Sequence, residues 1–301
     1  MKIKEFLCKD FGGITSQEKR WLLAERLGWG LTDLYLNDQN DIDIEVLAQL
    51  RNDLLKLQTG LPFAYLVGWA EFRSLKLAVG PGVLIPRPET ELIVDLIKES
   101  VDQIRPPQQI TIAEFGVGSG CLSLSLAHEL KNVKVVGFEV SQAAHDVAVK
   151  NLRKYSDERV TFLLQNIHSQ DLEQIANSVA QVSPARHGLE FFDIVVSNPP
   201  YISPQDAEVS QSVREFEPPI ALFSNDGGLC HAKEFSKVAG SLLKPGGQCL
   251  FELGCNNAQR FAEWLNSQSA NDRAIYKWND VQVLKDLSQR ERFVKFYKGE
   301  R

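Results

Sequence analysis

The chain has 301 residues, enough for two domains, and its 44% hydrophobic and 24% charged content is typical of a globular protein. Its net charge of −6 argues against broad, sequence-independent binding to DNA or RNA, because such binding needs Lys and Arg to neutralise phosphates. No segment approaches the roughly 20 apolar residues of a transmembrane helix, and the first residues lack the apolar stretch of a signal peptide. We therefore expect a cytoplasmic protein with no membrane and no direct nucleic-acid partner.

The cysteines and histidines do not form a metal-binding pattern. The five cysteines are scattered without a Cys-x-x-Cys pair, and the five histidines lack the spacing of metal ligands. We predict reduced thiols and no metal site.

The first part of the chain has helical periodicity. One apolar stripe, after the capping candidate Ser16, comprises Trp21, Leu23, Ala24 and Leu27. A second stripe, after an acidic start, comprises Leu47, Leu50, Leu54 and Leu57. Two such stripes need a common core, so residues 1–62 are predicted to form a small helical domain. We interpret this domain as one that docks the substrate; the alternative is a purely structural cap.

An extended pattern follows over residues 63–86. It comprises Tyr65–Trp69, Leu75–Val79 and Val83–Ile85, with Gly80-Pro81-Gly82 as a turn. We predict a β-hairpin linker there, and then a helix from Glu89 to Ser100 with Pro88 near its first turn.

Strands and helices then alternate through residues 87–301. The predicted strands are 110–115, 133–139, 160–164, 192–197, 248–253, 281–283 and 292–296, and the helices between them are 121–130, 143–154 and 232–243. Such alternation is typical of an α/β fold with a doubly wound, mostly parallel sheet. The last two strands leave no room for a helix between them, so they predict an antiparallel hairpin that completes a seven-stranded Rossmann-like domain.

A glycine-rich turn joins the first of these strands to a helix. It contains Gly116, Val117, Gly118, Ser119 and Gly120. Glycines let the backbone turn tightly and approach a ligand that a Cβ would exclude. A dinucleotide-binding loop has a further Gly three residues after the second, where this chain has Cys121. The pattern instead favours a nucleoside with an amino-acid tail and no pyrophosphate, as in S-adenosyl-L-methionine.

Two further strand ends are candidates for binding this cofactor. Glu139, about 20 residues beyond the glycines, is placed to accept hydrogen bonds from ribose hydroxyls, a role that nicotinamide cofactors would also use. After the next strand, Asn166 is a candidate for the adenine amine and Ile167 for covering the ring. An ordinary polar loop is the alternative for these last two residues.

The segment Asn198-Pro199-Pro200-Tyr201 follows a buried strand. Successive prolines fix the backbone and lack N–H groups, so this edge presents acceptors. Hydrogen bonds to the Asn198 side-chain oxygen and the Pro199 carbonyl would hold a planar NH₂ group and aim its lone pair at a methyl group. The face of Tyr201 would pack on that planar group. We predict catalytic roles for Asn198, Pro199 and Tyr201, substrate binding by all four residues, and a contact of Asn198 with the cofactor.

With these motifs the chain resembles the protein-glutamine methyltransferases that modify class I peptide chain release factors. The resemblance covers nearly the whole chain. It also rests on the string Ile85–Glu91, Pro62–Tyr65 with Glu71-Phe72, Glu217-Pro218 with Ala221-Leu222, Leu243–Gly247, Glu252–Gly254, and Asp286-Leu287 with Arg290 and Arg292. Glu114 and Glu139 stand where the family usually has Asp, and Asn166 replaces a common Asp.

The resemblance implies methyl transfer from S-adenosyl-L-methionine to the side-chain amide of the Gln in the Gly-Gly-Gln motif of a class I release factor. The helical N-terminus would help to dock that partner, and we expect a monomer. One alternative is methylation of a glutamine on a ribosomal protein; Pro88-Glu89-Thr90 favours the release-factor branch. The other is a nucleic-acid adenine methyltransferase, against which the acidic balance counts. Ser203 to Gly227 is a candidate segment for closing over the substrate.

Overall fold

The computed structural model describes residues 1–103, 109–168, 171–182, 191–270 and 276–299. The chain divides into two units. The first consists of Met1–Trp69, Val79–Pro81 and Val209–Phe216, and the second of Ala70–Ala78, Gly82–Glu208 and Glu217–Arg301. The predicted domain boundaries at residues 62 and 86 remain a prediction. Among the described residues, no helix combines the length and apolar character needed to cross a membrane.

The first unit is helical, as its apolar stripes predict. Its helices are α1 (Ile3–Cys8), α2 (Ser16–Leu27), α3 (Leu31–Leu36), α4 (Ile44–Gln58) and α5 (Phe63–Val67), with a short helix from a later segment, α10 in chain order (Gln211–Phe216). The shared core contains Leu22, Leu23, Leu50 and Leu54. The N-cap of α2 is Thr15 and not Ser16, because Thr15 Oγ1 accepts from Glu18 N–H at 3.1 Å while Glu18 accepts from Thr15 N–H at 2.7 Å.

The predicted linker differs in part from the structure. Two strands, β1 (Trp69–Phe72) and β2 (Leu75–Ala78), confirm a hairpin. The extended interpretation of Tyr65–Trp69 is wrong over residues 65–67, which belong to helix α5. This helix ends at Gly68, which has the left-handed conformation with φ of 80°. Residues 83–85 are not a strand either. Val83 is fully buried, but the nearby Pro86 and Pro88 have no N–H to offer a sheet.

The second unit is built on a seven-stranded sheet. Its strands are β3 (Ile110–Phe115), β4 (Val133–Glu139), β5 (Val160–Leu164), β6 (Phe192–Ser197), β7 (Leu243–Glu252), β8 (Trp278–Lys285) and β9 (Glu291–Lys298). The strand order is β5-β4-β3-β6-β7-β9-β8, with β9 antiparallel to both neighbours and the other pairs parallel. This arrangement confirms the predicted doubly wound α/β fold and its terminal hairpin.

Helices cover both faces of this sheet. After a 3₁₀ turn at Pro88–Thr90 they are α6 (Glu91–Gln103), α7 (Cys121–Glu129), α8 (Gln142–Tyr155), α9 (Leu172–Val182), α11 (Pro219–Leu222), α12 (Asn225–Gly228), α13 (Cys230–Leu242) and α14 (Ala258–Ser269). One core joins α6, α7 and α8 to the sheet, and the other joins α9, α13 and α14 to it. The central strands are therefore buried on both sides, which explains their nearly continuous apolar sequences.

The strand register positions the functional loops. Phe115 at the end of β3 lies opposite Phe138 in β4 and Ser197 at the end of β6. The loops after these three strands therefore leave the sheet at one edge. Because β4 and β6 flank β3 on opposite sides, that edge is a topological switch point, where open α/β sheets bind ligands.

Candidate active site

A cavity of about 320 Å³ lies at this edge of the second unit. Of the residues predicted from the sequence to bind cofactor or substrate, seven line it: Gly116, Gly118, Glu139, Asn166, Ile167, Asn198 and Pro200. Val117, Ser119, Gly120, Pro199 and Tyr201 are not part of its wall. The cavity thus unites the glycine turn, the acid after β4 and the asparagine after β6.

The glycine turn lets the chain change direction between β3 and α7. Gly116, Gly118 and Gly120 all have positive φ, at 79°, 56° and 82°. A Cβ on Gly120 would lie 3.0 Å from Phe162 Cζ, whereas among the described residues nothing lies within 4 Å of a Cβ on Gly116. A side chain at Gly116 would therefore occupy the space that a ligand needs. This cradle fits a nucleoside-type cofactor.

The other turn residues have structural contacts. Val117 is buried in the core beneath the loop. The Ser119 carbonyl accepts a hydrogen bond from Asn151 Nδ2 at 2.9 Å. These contacts hold the turn from behind, so that Gly116 and Gly118 present backbone to the cavity.

Glu139 is nearly buried at the end of β4, and both its carboxylate oxygens hold backbone. Oε2 accepts from Gly118 N–H and Oε1 from Ser141 N–H, each at 2.9 Å. A carboxylate has about four lone-pair positions, so two contacts leave acceptor capacity for a ligand in the cavity. The carboxylate also couples the glycine turn to the start of α8.

A second acid, Glu114, lies inside the fold just before the turn. Its Oε2 accepts hydrogen bonds from the backbone N–H and the hydroxyl of Ser123, the latter bond being short. Burial raises the pKa of the Glu114 carboxyl to about 8, although the Ser123 hydrogen bonds oppose that rise. Glu114 therefore holds the start of α7 without lining the cavity.

Residues after β5 form another part of the wall, namely Gln165, Asn166, Ile167 and His168. Ile167 is 6% exposed and packs into the core, while Asn166 is exposed. Ile167 therefore supplies an apolar surface and Asn166 a polar one, and their roles toward adenine remain predictions.

Asn198 begins the segment after β6 and is half-buried. The Ser197 hydroxyl donates to the Phe115 carbonyl at 2.7 Å, which ties the ends of β6 and β3 together. Asn198 Nδ2 donates to Thr90 Oγ1 at 3.0 Å, and Thr90 Oγ1 donates to Glu252 Oε2 at 2.7 Å. The Asn198 side chain therefore binds Thr90 through its amide nitrogen, and its amide oxygen takes no part in that hydrogen bond.

Tyr201 ends the segment in a tightly packed position. Asn257 Nδ2 donates to its carbonyl at 2.9 Å, and a Cβ on Gly228 would lie 2.2 Å from that carbonyl oxygen. The ring packs partly against the core, with Gly254 beneath it. Burial raises the pKa of the Tyr201 phenol to about 12, helped by the nearby Glu252 carboxylate, so the hydroxyl stays protonated near neutral pH.

Much of the wall was not predicted from the sequence. The missed residues are Gly82, Leu84, Phe138, Val140, Ser141, Ala144, Gln165, His168, Cys230, His231, Glu234 and Phe235. Three other wall residues, Pro218, Ile220 and Ala221, lie in the segment from Ser203 to Gly227 that was a candidate for closing over the substrate. The missed residues near Glu139 and Ile167 adjoin these predicted residues at the strand ends, so their position in the wall could have been inferred. The four on α13 lie on one helical face, but no sequence signal separates that face from an ordinary solvent-facing one.

His231 is a neutral member of this wall. Its Nδ1 lies 2.9 Å from Ser224 Oγ, and burial lowers its pKa. On the same helix, Glu234 Oε1 lies 3.6 Å from His168 Nδ1. These contacts join α13 to the loops on either side of the cavity.

The fold and the cavity define the class of protein. A glycine turn after β3 and an acid at the end of β4 line one cavity, and a family model described as a methyltransferase domain matches residues 108–296. The chain is an S-adenosyl-L-methionine-dependent methyltransferase. A second model, the PrmC N-terminal domain, matches residues 13–68.

Curated relatives narrow the class to one family. Proteins named release factor glutamine methyltransferase are 32% identical in Bacteroides thetaiotaomicron, over 91% of this chain and 89% of that protein. The identity is 33% in Burkholderia pseudomallei, over 91% and 89%, and 35% in Geobacter sulfurreducens, over 80% and 78%. The chain belongs to the release factor glutamine methyltransferase family, which confirms the resemblance found in its motifs.

Proposed function

We propose that this enzyme methylates the side-chain amide nitrogen of the glutamine in the Gly-Gly-Gln motif of class I peptide chain release factors. The observation that carries the proposal is the orientation of Asn198. Its amide nitrogen is held by Thr90 at the edge of the cavity, which leaves its oxygen as an acceptor for a planar NH₂ group. The names of the curated relatives support release factors as the partner.

Residues at the glycine turn and at the neighbouring strand ends would hold the cofactor. Backbone at Gly116 and Gly118 would face the amino-acid tail, Glu139 the ribose hydroxyls, and Ile167 one face of the adenine. Bound S-adenosyl-L-methionine would supply a methyl group on a positively charged sulfur. As the amide nitrogen bonds to this methyl group, the S–C bond would break to leave a neutral thioether, and the nitrogen would lose one proton to solvent. Val117, Ser119 and Gly120 would support the turn from behind.

The residues after β6 would prepare the nucleophile. An amide nitrogen is a weak nucleophile because its lone pair is conjugated with the carbonyl. Acceptance of its two hydrogens by Asn198 Oδ1 and the Pro199 carbonyl would hold the lone pair in one direction and stabilise the positive charge that develops on nitrogen. Pro200 would keep this segment rigid, and the Tyr201 ring would pack on the planar amide.

The first unit would dock the release factor. Its α3 carries exposed apolar residues, Tyr35 and Leu36, on a unit that contributes nothing to the cavity wall. Recognition of a folded partner would raise the local concentration of its glutamine at the cavity. We propose that the enzyme works as a monomer.

A labelled methyl donor tests the substrate directly. Incubation with purified release factor should label it, whereas a variant of the partner with Gly-Gly-Ala should stay unlabelled. Equal label on both would exclude the glutamine. Parallel incubations with ribosomal protein and with oligonucleotides test the two alternative substrates. Methyl transfer to only one of these, and not to release factor, would identify that molecule as the substrate instead.

A further inference from the structure

Two buried residues from distant parts of the sequence stand behind Asn198. Thr90 lies in the 3₁₀ turn before α6, 108 positions from Asn198, and Glu252 ends β7, 162 positions from Thr90. Thr90 is 4% exposed and Glu252 is fully buried. Because Ser197 pairs with Phe251 in the sheet, Glu252 and Asn198 lie side by side at the ends of adjacent strands.

The direction of these hydrogen bonds decides the orientation of the Asn198 amide. A threonine hydroxyl has a single hydrogen, and Thr90 donates it to Glu252. Only lone pairs of Thr90 Oγ1 remain for Asn198, so the amide must turn its Nδ2 toward Thr90 and its Oδ1 away. A flipped amide would present hydrogens to the substrate NH₂, and two donors cannot bond to each other.

We propose that Thr90 and Glu252 are positioning residues of methyl transfer, which fix the Asn198 side chain with Oδ1 directed to the substrate nitrogen. This inference rests on the proposed function of Asn198. It adds two residues that touch neither substrate nor cofactor and act through the asparagine.

The surroundings of Glu252 favour this role over a structural one. Among the residues that the structure describes, its other oxygen, Oε1, has no hydrogen-bond partner. A buried carboxyl with one partner is unfavourable for stability, so a purely structural site would more readily contain an apolar residue. The hydrogen bond to Thr90 is what the carboxyl contributes.

The pH dependence follows from the protonation of Glu252. Burial raises its pKa to about 7, against the hydrogen bond from Thr90. The charged and titratable groups that influence this region are Arg87, Glu89, Cys121, Tyr201 and Arg292. Ionised Glu252 can only accept, which sets the bond directions described above. Protonated Glu252 can donate to Thr90, which frees the Thr90 hydrogen to bond a flipped Asn198 oxygen.

Activity should therefore rise with pH through neutrality. As pH increases past the Glu252 pKa, the carboxylate forms and the productive orientation of Asn198 is selected. In the Glu252→Gln variant no proton is gained or lost at this position, so the rise with pH should disappear.

Kinetics of four variants with the full chain test the proposal. Thr90→Val has nearly the same shape without the hydroxyl, and we expect kcat to fall about tenfold or more, with cofactor affinity by calorimetry within about twofold of wild type. Thr90→Ser restores the hydroxyl and should recover most of kcat.

Thr111→Val is the matched control, because the Thr111 hydroxyl also bonds an acid, Asp193, in the same sheet but away from the cavity. The kcat of this control variant should stay at the wild-type value. Wild-type kcat in Thr90→Val, failure of Thr90→Ser to recover it, or an unchanged pH profile in Glu252→Gln would each overturn the proposal.

A measurement without substrate separates this inference from the proposed function. In protein labelled with ¹⁵N at asparagine, the Asn198 side-chain signal should shift with pH around a midpoint near the Glu252 pKa, and the shift should vanish in Thr90→Val and Glu252→Gln. A pH-independent signal in wild type would refute the positioning pair even if release factor is methylated. A shift as expected, without methylation of release factor, would refute only the proposed substrate.

Discussion

Asn198 concentrates the proposed chemistry in one side chain. Its replacement by Ala removes an acceptor for the substrate amide but little that would hold the cofactor. We expect turnover to fall at least about 100-fold, as for loss of a donor that stabilises developing charge. Cofactor affinity should stay within about tenfold of the wild-type value, since loss of one hydrogen bond weakens binding by about 1 kcal/mol.

Label transfer and calorimetry measure these two effects separately. Asn266→Ala, at an exposed position of α14, provides the control and should match wild type in both. Full activity of Asn198→Ala would contradict the mechanism.

Glu114 makes stability depend on pH. Its pKa is about 8 in the folded protein against an ordinary value of 4.5, so the folded state binds more protons than the unfolded state between these values. The free energy of unfolding should therefore fall as pH rises from about 5 to about 8. Glu252 contributes in the same direction only up to its pKa of about 7.

Urea unfolding between pH 7 and pH 8 isolates the Glu114 contribution. The Glu114→Gln variant cannot titrate there but keeps an oxygen that accepts from Ser123. Its unfolding free energy should change less with pH than that of wild type over this interval. Equal slopes for the two proteins would show that Glu114 is ionised in the fold.

At the residue scale, the sequence was informative where chemistry lies in consecutive positions. The glycine turn and Asn198 were predicted as parts of the site, and both lie at the cavity. Thr90 and Glu252 belonged to strings that resemble the family, but nothing in the sequence pairs them. Their contact with Asn198 depends on strand order, and a long-range hydrogen bond between side chains leaves no periodic signal.

At the scale of elements, Asn151 joins three segments of the second unit. Fully buried on α8, it accepts from Ala78 N–H at 2.7 Å and donates to the Ala78 and Ser119 carbonyls at 3.0 and 2.9 Å. The hairpin strand β2 and the glycine turn therefore share one anchor. Asn151→Leu has a similar volume but would leave these buried backbone groups without their partner.

We expect Asn151→Leu to lower the free energy of unfolding by roughly 2–5 kcal/mol, because each buried polar group left without a hydrogen bond destabilises the fold by about 1–3 kcal/mol. Urea titration measures this change. Asn177→Leu, at an exposed position of α9, should change stability by no more than about 0.5 kcal/mol. Similar small effects of both substitutions would show that water readily replaces Asn151.

The elements themselves were predictable to different degrees. Strands buried on both faces appear as apolar runs, and the bounds of β3, β4, β5 and β6 match those predicted. Phe63–Val67 has the aromatic and β-branched composition of a strand, but Gly68 ends it as a helix. Helices α9 and α14 were not predicted, although each buries an apolar stripe, because their sequences also contain many polar residues.

At the scale of the whole molecule, activity on a protein partner requires more than the cavity. Alternation of strands and helices predicted the doubly wound sheet, and the order of its strands explains why loops far apart in sequence meet. The alternation of strands and helices could not predict which surface would contact a partner, because docking surfaces have no fixed residue spacing. We propose the helical first unit as the docking surface; its residues 13–68 match the PrmC N-terminal domain model.

Exposed apolar residues on α3 give the docking proposal a test. Tyr35 is 64% exposed and Leu36 is 77% exposed, next to Leu31 at 42%. Burying such side chains against a partner contributes about 1.5–3 kcal/mol each when burial is complete. The double variant Tyr35→Ser, Leu36→Ser should therefore raise KM for intact release factor about tenfold or more, equivalent to about 1.4 kcal/mol, while kcat changes little.

A short peptide containing Gly-Gly-Gln distinguishes docking from damage to the active site. Because a short peptide lacks the folded surface that α3 would contact, its methylation rate should be the same for wild type and the double variant. Leu55→Ser changes a single exposed apolar residue on α4 and should leave both substrates unaffected. If the double variant slowed the peptide as much as the release factor, the loss would lie in folding or chemistry; if it slowed neither, α3 would not be the docking surface.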